Sequence, residues 1–538
     1  MGTVDTPMTI PGLVAEVARR HPDQPAVVDG NVRITYAQLA EQVTGTARAY
    51  AERGLRRGDR AAVWAPNRLE FVLAVLGAQT IGAAVVPLNS RYRGHEAATI
   101  LARSRAATLV LAGGFLGTDF LGMLRAAAAE LPGPAGHGPV PGLPHLHTVV
   151  DLGAATSDGD VLSWAGFTEG GRGVDEDRFA AMVAAVTPDD ICDIMFTSGT
   201  TGVPKGVLSA QRQTIDVARI WAERAGLGTG DRYAVVNPLF HGFGYKAGMI
   251  ASLTAGTTIY PVAAFDSEAL LELIQAERIS VLPGPPTLFT SLLDHPRLHQ
   301  YDTSSLRYSV AGAATVPRSL FRRMRDELGF DSVSQAYGLT EAVVVTQSRP
   351  GEDPEHLAET TGPPVEGMEV RIADPDGREV PAGEEGEVLI RGRNVMLGYF
   401  EDERATAAAI DAGGWFHSGD IGRVDEHGCL QITDRIKDMF TVGGFNVYPA
   451  EVENVLASHP DVSESAVVAK PDPRMGSVAL AFVVPRRNAT PSVAELIEYC
   501  RARLANFKVP REIVVRAELP KNASGKILKT ELRAAQRA

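Results

Sequence analysis

Residues 196–206, FTSGTTGVPKG, pack Ser, Thr, Gly and one Lys into a short run with almost no bulk. Thr197, Ser198, Thr200 and Thr201 offer hydroxyl donors, Gly199 and Gly202 let backbone amides approach an anion closely, and Lys205 adds a mobile positive charge. That chemistry suits the phosphates of a nucleoside triphosphate. The spacing departs from the Walker A pattern, because Lys205 follows Pro204 and precedes Gly206 where that pattern has Ser or Thr. An ordinary P-loop NTPase is therefore disfavoured. Taken alone, the run also reads as a flexible surface loop.

Five further strings follow in order: YGLTE at 337–341, WFHSGD at 415–420, DRIKD at 434–438, GGFNVYPAEVE at 443–453 and PKNASGKILK at 520–529. Together with the first run they resemble the adenylate-forming (ANL) superfamily of acyl-CoA synthetases, peptide-synthetase adenylation domains and luciferases, collinearly and over nearly the whole chain. The resemblance implies an α/β fold. A large N-terminal domain (1–434) would hold layered α/β subdomains and a β-rich subdomain, and a small mobile α+β C-terminal domain (435–538) would move on a hinge at Lys437.

The implied reaction makes an acyl-AMP and pyrophosphate from a carboxylate and ATP. Two anions must meet, so the site has to offset their repulsion and stabilise the charge spread over phosphorus. By resemblance, Thr197, Ser198, Gly199, Thr200, Thr201 and Lys205 cradle the β- and γ-phosphates. Gly312, Ala313 and Ala314 frame the adenine with Tyr337, whose ring stacks on it; Thr340 contacts the α-phosphate. Glu341 would hold Mg2+, Asp420 the ribose hydroxyls, and Arg435 ribose or phosphate. Each has a plainer reading: Tyr337 as a core aromatic, Asp420 as a turn residue, Glu341 as a helix-start carboxylate. Lys526 would bridge the carboxylate and the α-phosphate once the small domain folds over the large one. With Lys521 and Lys529 nearby, it also reads as a solvated tail lysine. CoA would then reach the acyl-AMP past Gly443, Gly444 and Phe445, where two glycines suit passage of a thin pantetheine arm and equally suit a tight turn. Ser418 stands where many relatives have Thr, and Ser477 where many have Glu.

A chain of 538 residues is too long for one core and allows about three or four domain-sized units. Its net charge of -13 argues against nucleic acid as the main partner, so acidic ligands need local cations such as Lys205, Arg435, Lys437 and Lys526. Cys192, Cys429 and Cys500 are widely separated and suggest no disulfide framework; the histidines form no zinc-ligand spacing. The N-terminus lacks a basic start followed by an apolar run, which points to the cytoplasm. Oligomeric state is not legible, a homodimer being one option.

The positioning elements follow from periodicity. Alternating amphipathic helices and Val/Ile-rich runs predict parallel strands with crossover helices, one ending at Val235–Val236 before Pro238 and others at 257–262, 280–282 and 307–310. Asp266 is placed to cap a helix carrying Leu270, Leu271 and Ile274. Residues 71–88 read as a buried helix, a turn and a strand rather than a membrane span. The Pro/Gly-rich stretch 131–144 reads as a surface loop. From Met368 short alternating strands with turns at 374–377 and 426–428 predict the β-rich subdomain, and helices are expected at 450–457 and 492–504.

The acyl pocket is expected around His241, Gly312 and Gly338, although a lone His on a loop is more often structural. The segments NPLFHGFGYKAG, VLPGPPTLFTSLLDHP and SLRYSVAGAATVP are similar to those of actinobacterial ligases that activate the methyl-dioxo-octahydroindene propanoate left by steroid-ring degradation. A bulky alicyclic propanoate is thus the first choice of acid, with medium-chain and aryl acids behind it. Rival readings keep adenylation and change the acceptor, to a carrier protein or to nitrite in diazo-forming chemistry, or keep the fold as an inactive scaffold.

Overall fold

Parallel strands joined by crossover helices build the first half of the chain. The computed structural model describes residues 7–131, 138–198, 204–311, 318–349, 351–374, 376–435, 440–486, 489–520, 527 and 529–534. Its largest sheet has eight strands, in the order Gly398–Tyr399, Pro204–Ala210, Ile191–Ser198, Ala84–Pro87, Arg60–Trp64, Thr108–Leu111, Thr148–Asp151 and Val161–Ser163. Neighbours from Ile191–Ser198 onward are parallel, while Pro204–Ala210 runs antiparallel to strands on both sides. A second sheet orders Arg232–Val235, Thr258–Pro261, Pro25–Asp29 and Val32–Thr35. It continues through Val281 to the parallel pair Tyr308–Val310 and Ser332–Ser334.

Apolar helices fill the space between the sheets. Helix Leu69–Thr80 is buried at all of its residues except Glu70 and ends in a turn at Gly82 before strand Ala84–Pro87, as residues 71–88 predict. Twelve residues span about 18 Å at 1.5 Å per residue, short of a bilayer core. Among the described residues no helix is long and apolar enough to cross a membrane. Asp266 caps helix Ser267–Glu277 by accepting the Ala269 N–H at 2.9 Å, and Leu270, Leu271 and Ile274 are buried.

Two expectations need correction. The run 280–282 forms no continuous ladder: Val281 makes single bridges to Tyr233 and Tyr308, and Pro283, which follows the run, has no N–H to extend the pairing, although Gly284 donates to the Val310 carbonyl at 3.0 Å. The stretch 131–144 is not simply a surface loop. In its described part Val140 and Leu143 are buried with Leu124 and Ala128 of helix Phe120–Ala128. A Cβ at Gly142 would lie 1.9 Å from the Ala128 carbonyl oxygen, so glycine permits this close packing.

The β-rich subdomain is the antiparallel sheet Met368–Ala373, Gly386–Gly392, Phe416–Val424 and Leu430–Arg435. Its turns use Gly377 and Gly428 at φ +78° and +75°. Asp425 organises the second turn, its Oδ1 accepting the His427 and Cys429 N–H groups while Oδ2 meets His356 Nε2 at 3.0 Å. His356, Asp425 and Cys429 thus come together as a pin between helix Pro354–Glu359 and the hairpin.

The small C-terminal unit pairs Val462–Asp472 antiparallel with Gly476–Pro485, which runs parallel to Glu512–Val515. Helices Pro449–Ala457 and Val493–Arg503 fall where expected, the second opened by a Ser492 capping box. Strand alternation gives this sheet two faces. Val467, Ala479, Ala481 and Val483 pack with those helices and with hairpin Phe440–Val442/Phe445–Val447. Ala466, Val468, Leu480 and Phe482 pack with Leu519, Leu532 and Ile527. The hairpin and Ile527 therefore occupy opposite faces.

The His356 imidazole is held above its ordinary value, near 6.5, by the hydrogen bond to Asp425. Its contribution to stability is complete below that value and fades as pH rises through the raised one. The difference in unfolding free energy between wild type and His356→Gln, from urea titrations, should be largest near pH ~6, at most about 1 kcal/mol, and should shrink by pH ~8.5.

Candidate active site

One cavity of about 350 Å3 collects most of the described residues among those singled out from the sequence. It lies where the antiparallel edge of the large sheet meets hairpin Ala336–Leu339/Ala342–Gln347, strand Phe416–Val424 and the small unit.

At one end are Thr197 and Lys205, opposed in register across strands Ile191–Ser198 and Pro204–Ala210. Gly199, Thr200 and Thr201 lie outside the described residues, as does the side chain of Ser198. The Lys205 ammonium stands 4.9 Å from the centre of the Tyr399 ring, a cation–π contact. The Tyr399 hydroxyl donates to Glu341 Oε1 at 2.9 Å. Tyr399 reaches this point because Gly398–Tyr399 pairs with Leu208 and Val207, while buried Gln213 anchors the preceding chain through the Val395 carbonyl at 2.6 Å. Glu341 and Thr340 sit in the tight turn of the hairpin, which replaces the helix-start reading of Glu341. Gly338 lines the cavity, and a Cβ there would come within 2.6 Å of the Val344 nitrogen.

Farther along, the Tyr337 hydroxyl donates to Asp420 Oδ2 at 2.6 Å, so the aromatic and the carboxylate form one unit. Asp420 is 6% exposed and lies within strand Phe416–Val424, not in a turn. Ser418 Oγ accepts the Asp420 N–H at 3.0 Å and donates to the Val388 carbonyl at 2.6 Å, so serine supplies the hydroxyl that threonine would. Arg435 is the register partner of Asp420, its side chain lying outside the described atoms. Gly312, Ala313 and Ala314 are also outside; Val310, two residues before them, lines the cavity. Glu387, not anticipated, holds the rim by accepting the Gly419 N–H at 3.2 Å and meeting His417 Nδ1 at 3.1 Å.

The third region is apolar: Trp221 and Phe243 meet edge to face at 5.4 Å, with Ala247, Val343 and Val344 beside them. His241 faces the open cavity while protein closes in around it, and that desolvation lowers its pKa and favours the neutral ring. Its Nδ1 accepts the Phe243 N–H at 3.3 Å, which leaves Nε2 to carry the proton. The π-helix Phe243–Ile250 that follows is tied down by Lys246. This ammonium is buried, 3.1 Å from Asp193 Oδ1 and 2.7 Å from Ser209 Oγ, and Thr214 donates to Asp193 Oδ2 at 2.7 Å. Val344 adopts φ +58°, an outlier for a β-branched residue, with its carbonyl held by Asn394 Nδ2 at 2.8 Å.

The small unit closes the cavity with Gly444, Asn446 and Tyr448. Gly443 and Gly444, at φ +56° and +86°, form the two-residue turn of its hairpin. Gly443 and Phe445 do not line the cavity: Gly443 abuts Met475, and Phe445 stacks on Phe507 with centroids 4.7 Å apart. The period-2 series 444, 446, 448 within GGFNVYPAEVE was the available signal for Asn446 and Tyr448. Lys437 and Lys526 lie outside the described residues.

Lys246→Met leaves Asp193 buried without its cation and should destabilise the protein by about 3–5 kcal/mol in denaturant unfolding. Adding Asp193→Leu should restore most of that loss. Tyr399→Phe removes one hydrogen bond to Glu341 and keeps the ring under Lys205; stability should change by less than about 1.5 kcal/mol.

Residues 14–400 match the AMP-binding enzyme family and residues 451–526 the AMP-binding enzyme C-terminal domain. The chain is 46% identical over 532 residues to the 3-[(3aS,4S,7aS)-7a-methyl-1,5-dioxo-octahydro-1H-inden-4-yl]propanoyl:CoA ligase of Rhodococcus jostii, covering 98% of this chain and 99% of that protein. It is 47% identical to the ligase of the same name from Mycobacterium tuberculosis, covering 98% of each. Among solved structures, o-succinylbenzoate CoA synthetase of Bacillus subtilis, bound to a product analogue, superposes with a TM-score of 0.80 at 28% identity, covering 97% of this chain and 98% of that one. The amide bond synthetase McbA of Marinactinospora thermotolerans also gives 0.80, at 29% identity over 97% and 99%. The chain belongs to the AMP-binding enzyme family and, within the adenylate-forming superfamily, is an acyl-CoA synthetase.

Proposed function

We propose that this protein activates a bulky alicyclic propanoate with ATP and passes the acyl group to CoA. In the first step a carboxylate oxygen attacks the α-phosphorus, forming acyl-AMP and expelling pyrophosphate. In the second the CoA sulfur attacks the acyl carbon, forming the thioester and releasing AMP. The observation that carries the reading is the single cavity in which Thr197, Lys205, Glu341, Tyr337, Asp420 and His241 converge.

Lys205 with the residues 197–201 would neutralise and hold the β- and γ-phosphates, and Thr340 would contact the α-phosphate. Tyr337 and residues 312–314 would hold the adenine, with Asp420 and Arg435 toward the ribose. Tyr337 and Asp420, already hydrogen-bonded at 2.6 Å, would present ring and carboxylate as one preset surface. Glu341 and Thr340 offer the hard oxygen donors that Mg2+ takes, so these residues fit that ion, which when bound supplies charge neutralisation at the phosphates. The acyl group would occupy the apolar region at Trp221, Phe243 and Ala247, where the Nε2–H of neutral His241 can donate to an oxygen of the acid.

Lys526 immediately precedes Ile527 in the chain, and Ile527 lies on the sheet face opposite the Gly443–Gly444 hairpin. One pose of the small unit presents the hairpin to the cavity, and a turned pose would present Lys526 to the phosphorus; a hinge near Lys437 between units 1–434 and 435–538 supplies the turn. Reliance on ATP and CoA supports action in the cytoplasm. The names of the relatives in Rhodococcus jostii and Mycobacterium tuberculosis support the choice of acid and a place in steroid catabolism.

The test is pyrophosphate and AMP release over a panel of acids: the dioxo-octahydroindene propanoate, medium-chain fatty acids and ferulate, each with and without CoA. The alicyclic propanoate should give the highest kcat/KM, with AMP release dependent on CoA. Lys526→Ala should lose about a hundredfold or more in acyl-AMP formation yet still make thioester from supplied acyl-AMP. Unchanged pyrophosphate release in that variant refutes the role of Lys526, and CoA-independent AMP release refutes the acceptor.

A further inference from the structure

The interface between the large and small units contains an enclosed cation that does not line the cavity. Lys508 of the small unit is 3% exposed and donates to Glu96 Oε1 at 2.8 Å and to Glu451 Oε1 at 2.7 Å. Glu96 belongs to helix Gly94–Ser104 of the large unit, 412 positions away, and is 8% exposed. Glu451 opens helix Pro449–Ala457 of the small unit. The Tyr92 ring lies 4.7 Å from the ammonium and packs against core clusters of both units. Burial raises the Glu96 carboxyl above its ordinary value against the pull of Lys508, with Glu451 adding to the rise. Burial works against the Lys508 charge, and the two carboxylates outweigh it.

Two short paths run from this triad to the cavity. Phe507, next to Lys508, stacks on Phe445, whose neighbour Gly444 lines the cavity; Glu451 begins three residues after Tyr448, which also lines it. Both Lys508 and Glu451 travel with the small unit, so that pair is available in any pose. The bond to Glu96 is made in the arrangement in which the hairpin faces the cavity. We infer that Lys508, clasped by Glu96 and Glu451, is a positioning group that seats the small unit for transfer of the acyl group to CoA. The inference rests on the proposed CoA acceptor for its catalytic consequence and on the interface geometry for the seating itself. Without Glu96 the seated pose buries an ammonium against one carboxylate instead of two, and its population falls.

Glu96→Gln isolates this effect. Glu96 Oε2 also accepts the Arg93 N–H at 3.0 Å at the start of its helix, a role glutamine keeps, so the helix is spared while the ion pair is lost. The full chain is assayed with its best acid for single-turnover acyl-AMP formation without CoA, and separately for CoA-dependent consumption of the bound acyl-AMP. Seating is read by energy transfer between dyes on Ala126→Cys and Ala494→Cys, the three native cysteines being buried. In Glu96→Gln acyl-AMP formation should stay within about twofold, CoA-dependent consumption should fall about tenfold, and the seated fraction should drop. Lys508→Met should behave alike, and Lys508→Arg should recover much of the loss. Equal loss in both half-reactions, or an unchanged seated fraction with unchanged CoA transfer, overturns the assignment. Should the unsubstituted protein seat its small unit yet transfer nothing to CoA, the acceptor is wrong, and the energy-transfer comparison still decides the triad.

Discussion

Strand Pro204–Ala210 is paired on both sides, with Ile191–Ser198 and with Gly398–Tyr399, and the cavity depends on that double antiparallel pairing. Elsewhere the large sheet is parallel, and parallel strands deliver their ends to one edge through crossover helices. The antiparallel edge instead folds the chain back within a few residues, so Thr197 and Lys205 stand opposite one another. The two-residue strand then imports Tyr399 from nearly two hundred positions downstream, and Tyr399 links the Lys205 ammonium to the Glu341 carboxylate. A one-residue slip in that pairing would turn Tyr399 to the other face and separate cation from anion.

Charge burial sets the second constraint. Lys246 and Lys508 are each about 3% exposed, an arrangement tolerated only where carboxylates and hydrogen bonds offset the lost hydration. The two differ in what they join. Lys246 ties the segment after His241 to the sheet carrying Thr197, within one rigid body of packing. Lys508 crosses between the units, joining helix Gly94–Ser104 of one to helix Pro449–Ala457 of the other. The same chemistry thus serves within the large unit in one place and between the two units in the other.

Much of the fold was legible because local rules sufficed for it. Asp266 announced its helix by capping, and Leu69–Thr80 followed from an apolar run broken by Gly82. The run at 280–282 made only single bridges, with Pro283 directly after it lacking an N–H to extend the pairing. The stretch near Gly142 was misread because glycine content marks close approach as readily as exposure, and here a helix backbone lies against it. In the site, residues inside contiguous motifs, such as Thr197, Lys205, Tyr337 and Asp420, were found; they meet in one cavity. Tyr399 and Glu387 were not, since a lone tyrosine and a lone glutamate carry no signal until their partners are known.

The sequence alone determined the membership, the order of the motifs and the residue types able to meet two anions, because each motif is a short run whose chemistry is carried by neighbours in the chain. Only the tertiary structure decided that Tyr337 and Asp420 act as one hydrogen-bonded unit and that Lys508 closes on Glu96 across 412 positions. It also decided that the hairpin and Ile527 lie on opposite faces of one sheet. Such relations depend on strand register and on the docking of one unit on another, and no local pattern of residues encodes the distance between groups that only the folded chain brings together.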